Sequence, residues 1–325
     1  MVLFALRRMT SAVLVLFAIS VLVFVIFFAT PGIDPAARIA GRNADQATLA
    51  QVRHSFGLDR PLPVRYALLM EHLFVTRDLE SFVNRGNRVI PQIVQATPIT
   101  LSLVLGAAVI WMVLGIGMGT LAARLRGTAV DPLIMLLGLI GVSLPVYWLG
   151  EVVNLVPQSR LHDGIFSWVP PLGYVPLTRN PVQWALHLLF PWLTLAVLFA
   201  GIYARLLRSE LVANLDEDYV RTARAKGISE RRVLLKHALR CSLIPIVSLF
   251  GLDFGALVGG AALLTEVVFG LPGIGKLTYD SLQNLDLPVI MGTVVYAAFF
   301  VVLANAVVDI CYARLDPRVR LARAR

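Results

Sequence analysis

The chain has 325 residues, of which 58% are hydrophobic and only 15% are charged. This composition is too apolar for a soluble domain of such length, so it excludes a soluble globular protein. The formal net charge is +9, and the positions of the basic residues decide whether that charge indicates nucleic acid or a membrane.

Six stretches reach the roughly twenty apolar residues that a helix needs to cross a bilayer. They run from Met9 to Ala29, Pro98 to Ala123, Pro132 to Val156, Val182 to Leu207, Leu243 to Leu264, and Val289 to Cys311. The fold is therefore predicted to be an all-α integral membrane protein with six transmembrane helices. Pro145, Pro191 and Pro245 fall inside or near the ends of these spans, where we expect kinks.

Lys and Arg are distributed unevenly among the loops, and this asymmetry predicts the orientation in the membrane. One side carries Arg7 and Arg8, Arg124 and Arg126, nine bases from Arg205 to Arg240, and five arginines from Arg314 to Arg325. That side is predicted to be cytoplasmic, with both chain termini on it. Because membrane orientation accounts for the charge, no nucleic-acid partner is expected.

The N-terminal segment is typical of a signal peptide in having Arg7 and Arg8 before an apolar run. The run is longer than the apolar region of a signal peptide, however, and no small-residue cleavage pattern accompanies Pro31. Residues 1–29 are therefore predicted to be an uncleaved first transmembrane helix.

The rest of the chain is predicted to divide into an external part and a membrane core. Residues 30–97 are polar enough to form an external loop or small subdomain, in which Phe56–Tyr66 (FGLDRPLPVRY) predicts a turn and then a rigid extended piece. Residues 98–325 are predicted to form a five-helix core with a cytoplasmic loop at 208–242.

Glycines recur inside two apolar spans, where small residues let helices approach closely. They are Gly115, Gly117 and Gly119 in the second span, and Gly251, Gly255 and Gly259 in the fifth. We interpret both sets as helix-packing positions and not as a dinucleotide-binding motif.

A phosphate-binding loop is partly imitated by Gly270, Gly275 and Lys276. The position that would supply a magnesium-binding hydroxyl is Leu277, and no strand precedes the segment. We interpret it as a tight turn after the fifth span.

Asp253 lies in the middle of an otherwise apolar span. An acid there is costly, so it either pairs with another polar group or faces an aqueous path. Both possibilities stay open, and the second makes Asp253 a candidate translocation-path residue that interacts with a cationic part of the cargo.

No arrangement of residues indicates catalysis or metal binding by this chain. The histidines are scattered over unrelated segments, and Cys241 and Cys311 lie at predicted cytoplasmic span ends, where thiols stay reduced. The chain is therefore not expected to be an enzyme, and the energy for transport would come from an ion gradient or a separate ATPase.

The segment from Asp216 to Arg240 is basic and helix-prone, and it is longer than a simple connection between two spans requires. Its acids come first and Arg224 and Lys226 close its first half, the order that a helix dipole favours, before Gly227 interrupts it. Ser229 is expected to cap a second short helix. The segment is predicted to dock on a cytoplasmic partner.

Several segments together resemble the permease subunits of ATP-binding-cassette importers, specifically the dipeptide and oligopeptide family, the inner-membrane components of binding-protein-dependent transport systems. The resemblance covers nearly the whole chain and is carried, in order, by FGLDRPLPVRY, GVSLPVYWLG (141–150), DYVRTARAKGISERRVLLKHALR (218–240), TEVVFGLPGIGKL (265–277) and DPRVR (316–320). The chain departs from the general importer signature, since Arg221, Thr222 and Ala223 stand where Glu-Ala-Ala is usual. Asp253 replaces the amide that the family usually has nearby.

This resemblance implies a type I importer permease fold with six helices in the bacterial cytoplasmic membrane. The implied partners are a second homologous permease, two cytoplasmic ATPase subunits or one fused, and an external peptide-binding protein; ATP and Mg would bind the ATPases, and this chain would hold no cofactor. The segment from Asp216 to Gly227 would be the coupling helix. Its ATPase-coupling residues would be Tyr219, Val220 and Ala223 on an apolar face, Arg221 and Arg224 as charged contacts, and Ala225, Lys226 and Gly227.

Three other functions remain as alternatives at this point, one of them a non-transporting membrane scaffold or sensor. An importer permease for nickel or another non-peptide cargo would share the cytoplasmic motifs. A gradient-driven carrier would need polar groups inside its spans, for which Asp253 alone is available, and would transport without an ATPase.

Overall fold

The computed structural model describes residues 2–28, 45–55, 57–84, 86–158 and 167–315, together with Ala36 and Gly164. Its helices are Val2–Phe28 (α1), Gln46–Ser55 (α2), Leu62–Phe74 (α3), Val89–Arg124 (α4), Val130–Ser143 (α5), Val146–Gln158 (α6), Pro181–Leu215 (α7), Asp218–Ala225 (α8), Glu230–Arg232 (α9), Leu239–Ala256 (α10), Leu263–Val268 (α11), Ile274–Asn284 (α12) and Leu287–Leu315 (α13). Two π-helical segments, Val233–Ala238 and Leu257–Ala261, flank α10. The only β-pairing within these ranges is an isolated bridge between Glu80 and Arg88.

Five helical stretches of the described chain are long and apolar enough to cross a membrane. They are Thr10–Phe28, Val89–Arg124, Pro181–Leu215, Glu230–Ala261 and Leu287–Val308. A sixth crossing is obtained if α5 and α6 count as one bent span. The predicted all-helical membrane fold is therefore confirmed.

The third predicted span is not one straight helix, because α5 and α6 meet at 93°. Leu144 between them is extended, with φ −81° and ψ 126°, because Pro145 disfavours the helical region for the residue before it. Pro191 and Pro245 lie inside α7 and α10 without ending them. The kink expected at Pro145 is thus confirmed as a complete break.

Two boundaries differ from the sequence-based expectations. α4 begins at Val89, so Pro98 lies inside a helix that starts within the stretch predicted to be loop. The piece after the turn at Gly57 is not extended but helical, because Pro61 sets an extended N-cap and Pro63 fits the first turn of α3. Pro31, Phe56 and residues 316–325 lie outside the described residues.

The chain divides into two compact units. Unit 1 contains residues 1–100, 258–263 and 272–303, and unit 2 contains residues 101–257, 264–271 and 304–325. The predicted division at residues 29 and 97 concerns which segments lie in the membrane and which outside it, so it stays a prediction.

In unit 1, α1 packs on α3 and α13 around Phe24, Leu69 and Met291. The buried carboxylate of Asp286, which precedes α13, accepts hydrogen bonds from the Ser81 hydroxyl and, at 3.0 Å, from the Phe82 backbone N–H. These bonds fasten the segment before α4 to the start of α13.

In unit 2, α7 is the central helix, and glycines let α4 and α5 approach its backbone. A Cβ added at Gly201 would lie 2.3 Å from the Gly138 carbonyl oxygen, and one added at Gly119 would lie 2.8 Å from the Ala204 carbonyl oxygen. Gly115 is equally close to Tyr203, whereas nothing lies near Gly117. Close packing is thus confirmed for Gly115 and Gly119.

Two of the three fifth-span glycines also lie against neighbours. A Cβ at Gly251 would lie 2.1 Å from a methyl group of Val308 within unit 2, and one at Gly259 would lie 3.0 Å from the Ala297 carbonyl oxygen within unit 1. The predicted close approach is confirmed at both positions.

Candidate functional site

The segment between α7 and α10 folds as predicted into a short helix, α8. Glu217 is extended at its N-cap, Asp218 occupies the first turn and Arg224 the last, so the end charges suit the helix dipole. Gly227, with φ +74°, then reverses the chain in a conformation that favours glycine. Ser229 occupies the N-cap of α9 but makes no side-chain capping bond, so that expectation is wrong.

One face of α8 is buried against its own chain. Val220 is 0% exposed and Ala223 6% exposed, and both pack on buried Val233 with Leu215 and Ile228 around them. Leu215 ends α7, and Val233 opens the π-helical segment that leads into α10. Val220 and Ala223 are therefore part of the internal packing of this segment.

Arg224 fastens α8 to both flanking helices. Its guanidinium donates to the Leu215 carbonyl oxygen at 3.3 Å and to both carboxylate oxygens of Glu230 at 2.8 and 3.3 Å. The Glu230 carboxylate raises the pKa of Arg224. The charged contacts expected of Arg224 are thus made within the chain.

A chain of hydrogen bonds also connects α8 to α7 and α10. The Tyr219 hydroxyl donates to Asn214 Oδ1 at 3.1 Å, and Asn214 Nδ2 donates to the buried Ser242 hydroxyl at 3.0 Å. Partial burial, with the Cys241 thiol beside it, raises the pKa of Tyr219 to about 12. The hydroxyl therefore remains a donor at neutral pH.

The opposite face of α8 is exposed and basic. Arg221, Thr222, Ala225 and Lys226 are exposed, and Arg221 has only a long 3.5 Å contact to Asp218. Tyr219 is 40% exposed at the edge of this face. The structure thus brings the predicted coupling residues together but separates them into a buried set and an exposed set.

Asp253 lies on α10 beside an aromatic cluster in unit 2. The Tyr203 hydroxyl of α7 donates to Asp253 Oδ2 at 2.8 Å. The Trp111 ring of α4 lies 5.9 Å from that of Phe250 and 6.2 Å from that of Tyr203. Asp253 is partly exposed and, within the described residues, has no cationic partner. Of the two possibilities left open for Asp253, the structure shows the pairing with a polar group, whereas the path-facing role stays a prediction.

A second acid in the same unit was not singled out by sequence reasoning. Asp131, buried at the start of α5, accepts two hydrogen bonds from Arg208 of α7, at 2.9 and 2.6 Å. The available signal was an acid at the start of one span and a base near the end of another, since charges in spans pair with each other.

The segment that imitates a phosphate-binding loop is a turn between helices. Gly270 has φ +64° after α11, and Gly273 is the N-cap of α12. Lys276 Nζ lies 3.8 Å from Asp280 on the next turn of the same helix. The interpretation as a turn is confirmed.

Comparison with known proteins gives full-length matches. A protein-family model matches residues 112–321; its description is binding-protein-dependent transport system inner membrane component. A second family model, for the N-terminal part of such membrane components, matches residues 1–104. A Brucella abortus protein named as a peptide transport system permease is 38% identical over 315 residues, 97% of this chain and 98% of that protein.

Two further relatives match to a similar extent. A glutathione transport system permease protein of Salmonella paratyphi A is 38% identical over 318 residues, 98% of each chain. A probable D,D-dipeptide transport system permease protein of Escherichia coli is 36% identical over 332 aligned positions, 96% of each chain.

Proposed function

Because the chain belongs to the family of binding-protein-dependent transport system inner membrane components, we propose that it is a permease subunit of an ATP-driven peptide importer. The observation that carries this function is the likeness, over 96% or more of the chain, to relatives named for peptide, D,D-dipeptide and glutathione transport. The chain is a membrane component, and ATP hydrolysis belongs to separate subunits. A nickel importer and a gradient-driven carrier are not favoured.

The assembly that we propose has this chain as one half of the translocation pathway, with a second homologous permease as the other half. Both termini and the loop at 208–242 lie in the cytoplasm, where two ATPase subunits, or one fused, bind ATP and Mg. Residues 30–97 lie outside and face an external peptide-binding protein. The support is the excess of Lys and Arg on the side of α8.

The coupling element is α8, and its exposed basic face contacts the ATPase. Val220, Ala223 and Arg224 join α8 to the end of α7 and the start of α9, so a displacement of α8 is transmitted to both adjoining membrane helices. This double attachment is the physical basis for coupling ATPase closure to reorientation of the spans. Arg221 and Lys226 are the contacts that remain available.

Asp253 contributes a negative charge to the translocation path. Tyr203 satisfies only one of its carboxylate oxygens, and a partly exposed carboxylate without a cation can attract the ammonium group of a passing peptide. The adjoining aromatic rings provide faces that also favour cations.

Affinity capture of the tagged full-length chain tests this assignment. The wild type is expected to bring down a second permease, ATPase subunits and an external binding protein. The double variant Arg221→Glu with Lys226→Glu should lose the ATPases and keep the second permease. The matched control, Arg60→Glu with Arg179→Glu, changes charge equally at exposed positions outside α8 and should keep the ATPases.

Uptake measured in proteoliposomes of the captured complex completes the test. ATP-dependent accumulation of labelled peptides is expected, without accumulation of Ni²⁺. Uptake of nickel and not of peptides would mean that nickel is the cargo. Transport driven by a proton gradient without ATPases would overturn the assignment as an ATP-driven importer. Retention of the ATPases by the α8 double variant would refute the coupling face but not the transport class.

A further inference from the structure

A row of cations lies beyond α8, on the surface of the helical stretch Glu230–Ala261. Arg232, Lys236 and Arg240 recur every four residues and are exposed, and Arg231 precedes them. Leu235, between the first two, is 47% exposed. We call Arg231, Arg232, Lys236 and Arg240 the basic row.

The π-helical segment keeps these residues on one face. In an α-helix, which has 3.6 residues per turn, residues four apart do not lie directly above one another. A π-helical turn, closed by i→i+5 hydrogen bonds, is wider, and this offsets the rotation. Accessibility follows a repeat of four: positions 231–232 and 235–236 are exposed, whereas 233–234 and 238 are buried. The cations therefore point away from the packed helices.

The basic row differs from three neighbouring cations in having no acid partner among the described residues. Arg208 pairs with Asp131, Arg224 with Glu230 and Arg126 with Asp216. None of the four residues of the basic row forms an ion pair within the described part of the chain. Four adjacent positive charges are thus left for an external anion.

The position along the span indicates where that anion lies. The helical stretch Glu230–Ala261 has 32 residues, and about 20 suffice to cross the hydrocarbon core. Its leading turns therefore extend beyond the hydrocarbon, with Arg240 next to the apolar part. At about 1.5 Å per residue, Lys236 and Arg232 follow roughly 6 and 12 Å farther out, at the depth of the lipid headgroups.

We propose that the basic row binds the phosphodiester headgroups of anionic phospholipids in the adjoining leaflet. Guanidinium groups bind phosphate oxygens in a two-point geometry, and a lysine adds a point charge. Leu235, between Arg232 and Lys236, adds an exposed apolar residue to the same face. The assignment goes beyond the peptide-import function and needs only that this end of the span lies at a membrane surface.

Native mass spectrometry of the full-length chain in detergent tests the proposal. Delipidated protein is titrated with dioleoyl phosphatidylglycerol or dioleoyl phosphatidylcholine. The wild type is expected to retain more phosphatidylglycerol than phosphatidylcholine. The triple variant Arg232→Gln, Lys236→Gln, Arg240→Gln should lose this preference by about fivefold per cation removed. Lysine at positions 232 and 240 should preserve it.

The matched control removes three exposed cations elsewhere, by Arg60→Gln, Arg88→Gln and Arg179→Gln, and should retain the lipid preference. If the triple variant does not fold, the single variants Lys236→Gln and Arg240→Gln carry the same measurement. Equal phosphatidylglycerol retention by wild type and variants overturns the proposal. An equal loss of lipid preference in the control variant also overturns it. Loss of captured ATPase subunits with lipid binding unchanged overturns it too, since the basic row would then be a protein interface.

Discussion

Asp131 and Asp253 are both carboxylates on apolar helices of unit 2, and their surroundings differ in charge. Asp131 receives two hydrogen bonds from the cationic guanidinium of Arg208. Asp253 receives one, from the neutral hydroxyl of Tyr203. The first acid is neutralised by its partner, whereas the second is hydrogen-bonded but has no cationic partner within the described residues.

The difference distinguishes an acid with a structural partner from one that stays a predicted transport-path residue. Charge-assisted bonds in two-point geometry are among the strongest in proteins, so the Asp131–Arg208 pair stabilises the contact of α5 with α7. A carboxylate without a counter-ion is unfavourable in an apolar helix, and such residues mark binding sites or transport paths. We therefore expect Asp253 to serve a function other than stability.

The largest effect on stability is expected from Asp131→Ala. This change leaves the Arg208 guanidinium without either bond, so the free energy of unfolding should fall by about 3 kcal/mol. The midpoint of thermal unfolding of the purified chain measures it. Asp131→Asn keeps the size of the side chain but not its charge, so its stability should lie between those of the wild type and the Ala variant. An Ala variant as stable as the wild type would show that the Asp131–Arg208 pair does not stabilise the fold.

A smaller loss, about 1 to 2 kcal/mol, is expected from Tyr203→Phe, because the Asp253 carboxylate loses its only described donor. The double variant with Asp253→Asn supplies the control, since an amide does not leave a charge behind. The phenylalanine substitution should then cost less than in the wild-type background. Strict additivity of the two changes would mean that Tyr203 and Asp253 are not coupled.

Asp253→Asn alone should change the free energy of unfolding by less than about 1 kcal/mol, because the amide oxygen still accepts from Tyr203. Transport should respond instead. We expect the ratio of uptake of a free peptide to that of its N-acetylated form to fall in the variant. An unchanged ratio would show that Asp253 does not contact the cargo and only forms the hydrogen bond with Tyr203.

The smallest effect is expected from Arg126→Gln, which breaks a single 3.2 Å contact to Asp216 between two exposed side chains. Exposed ion pairs contribute about 0 to 1 kcal/mol. The unfolding midpoint should therefore remain close to that of the wild type, and raising the salt concentration should erase any difference. A loss as large as that of Asp131→Ala would contradict the expectation that an exposed ion pair contributes little.

Sequence reasoning predicted the features that depend on local pattern. The length of the apolar stretches predicted the membrane spans. The order of acidic and basic residues before Gly227 predicted α8. The pairing of Asp131 with Arg208, 77 positions apart, was missed, because either residue alone also fits the charged end of a span. Nor could the sequence tell that Val220 and Ala223 face inward, since that depends on where Val233 lies.

The close approach of Gly138 and Gly201 limits how unit 2 can move. With backbone against backbone there, sliding α5 along α7 would bring a side chain into a gap that admits none. We therefore expect the two helices to move together, as one rigid body. Bending is expected where the chain is already not helical, as at Leu144 between α5 and α6.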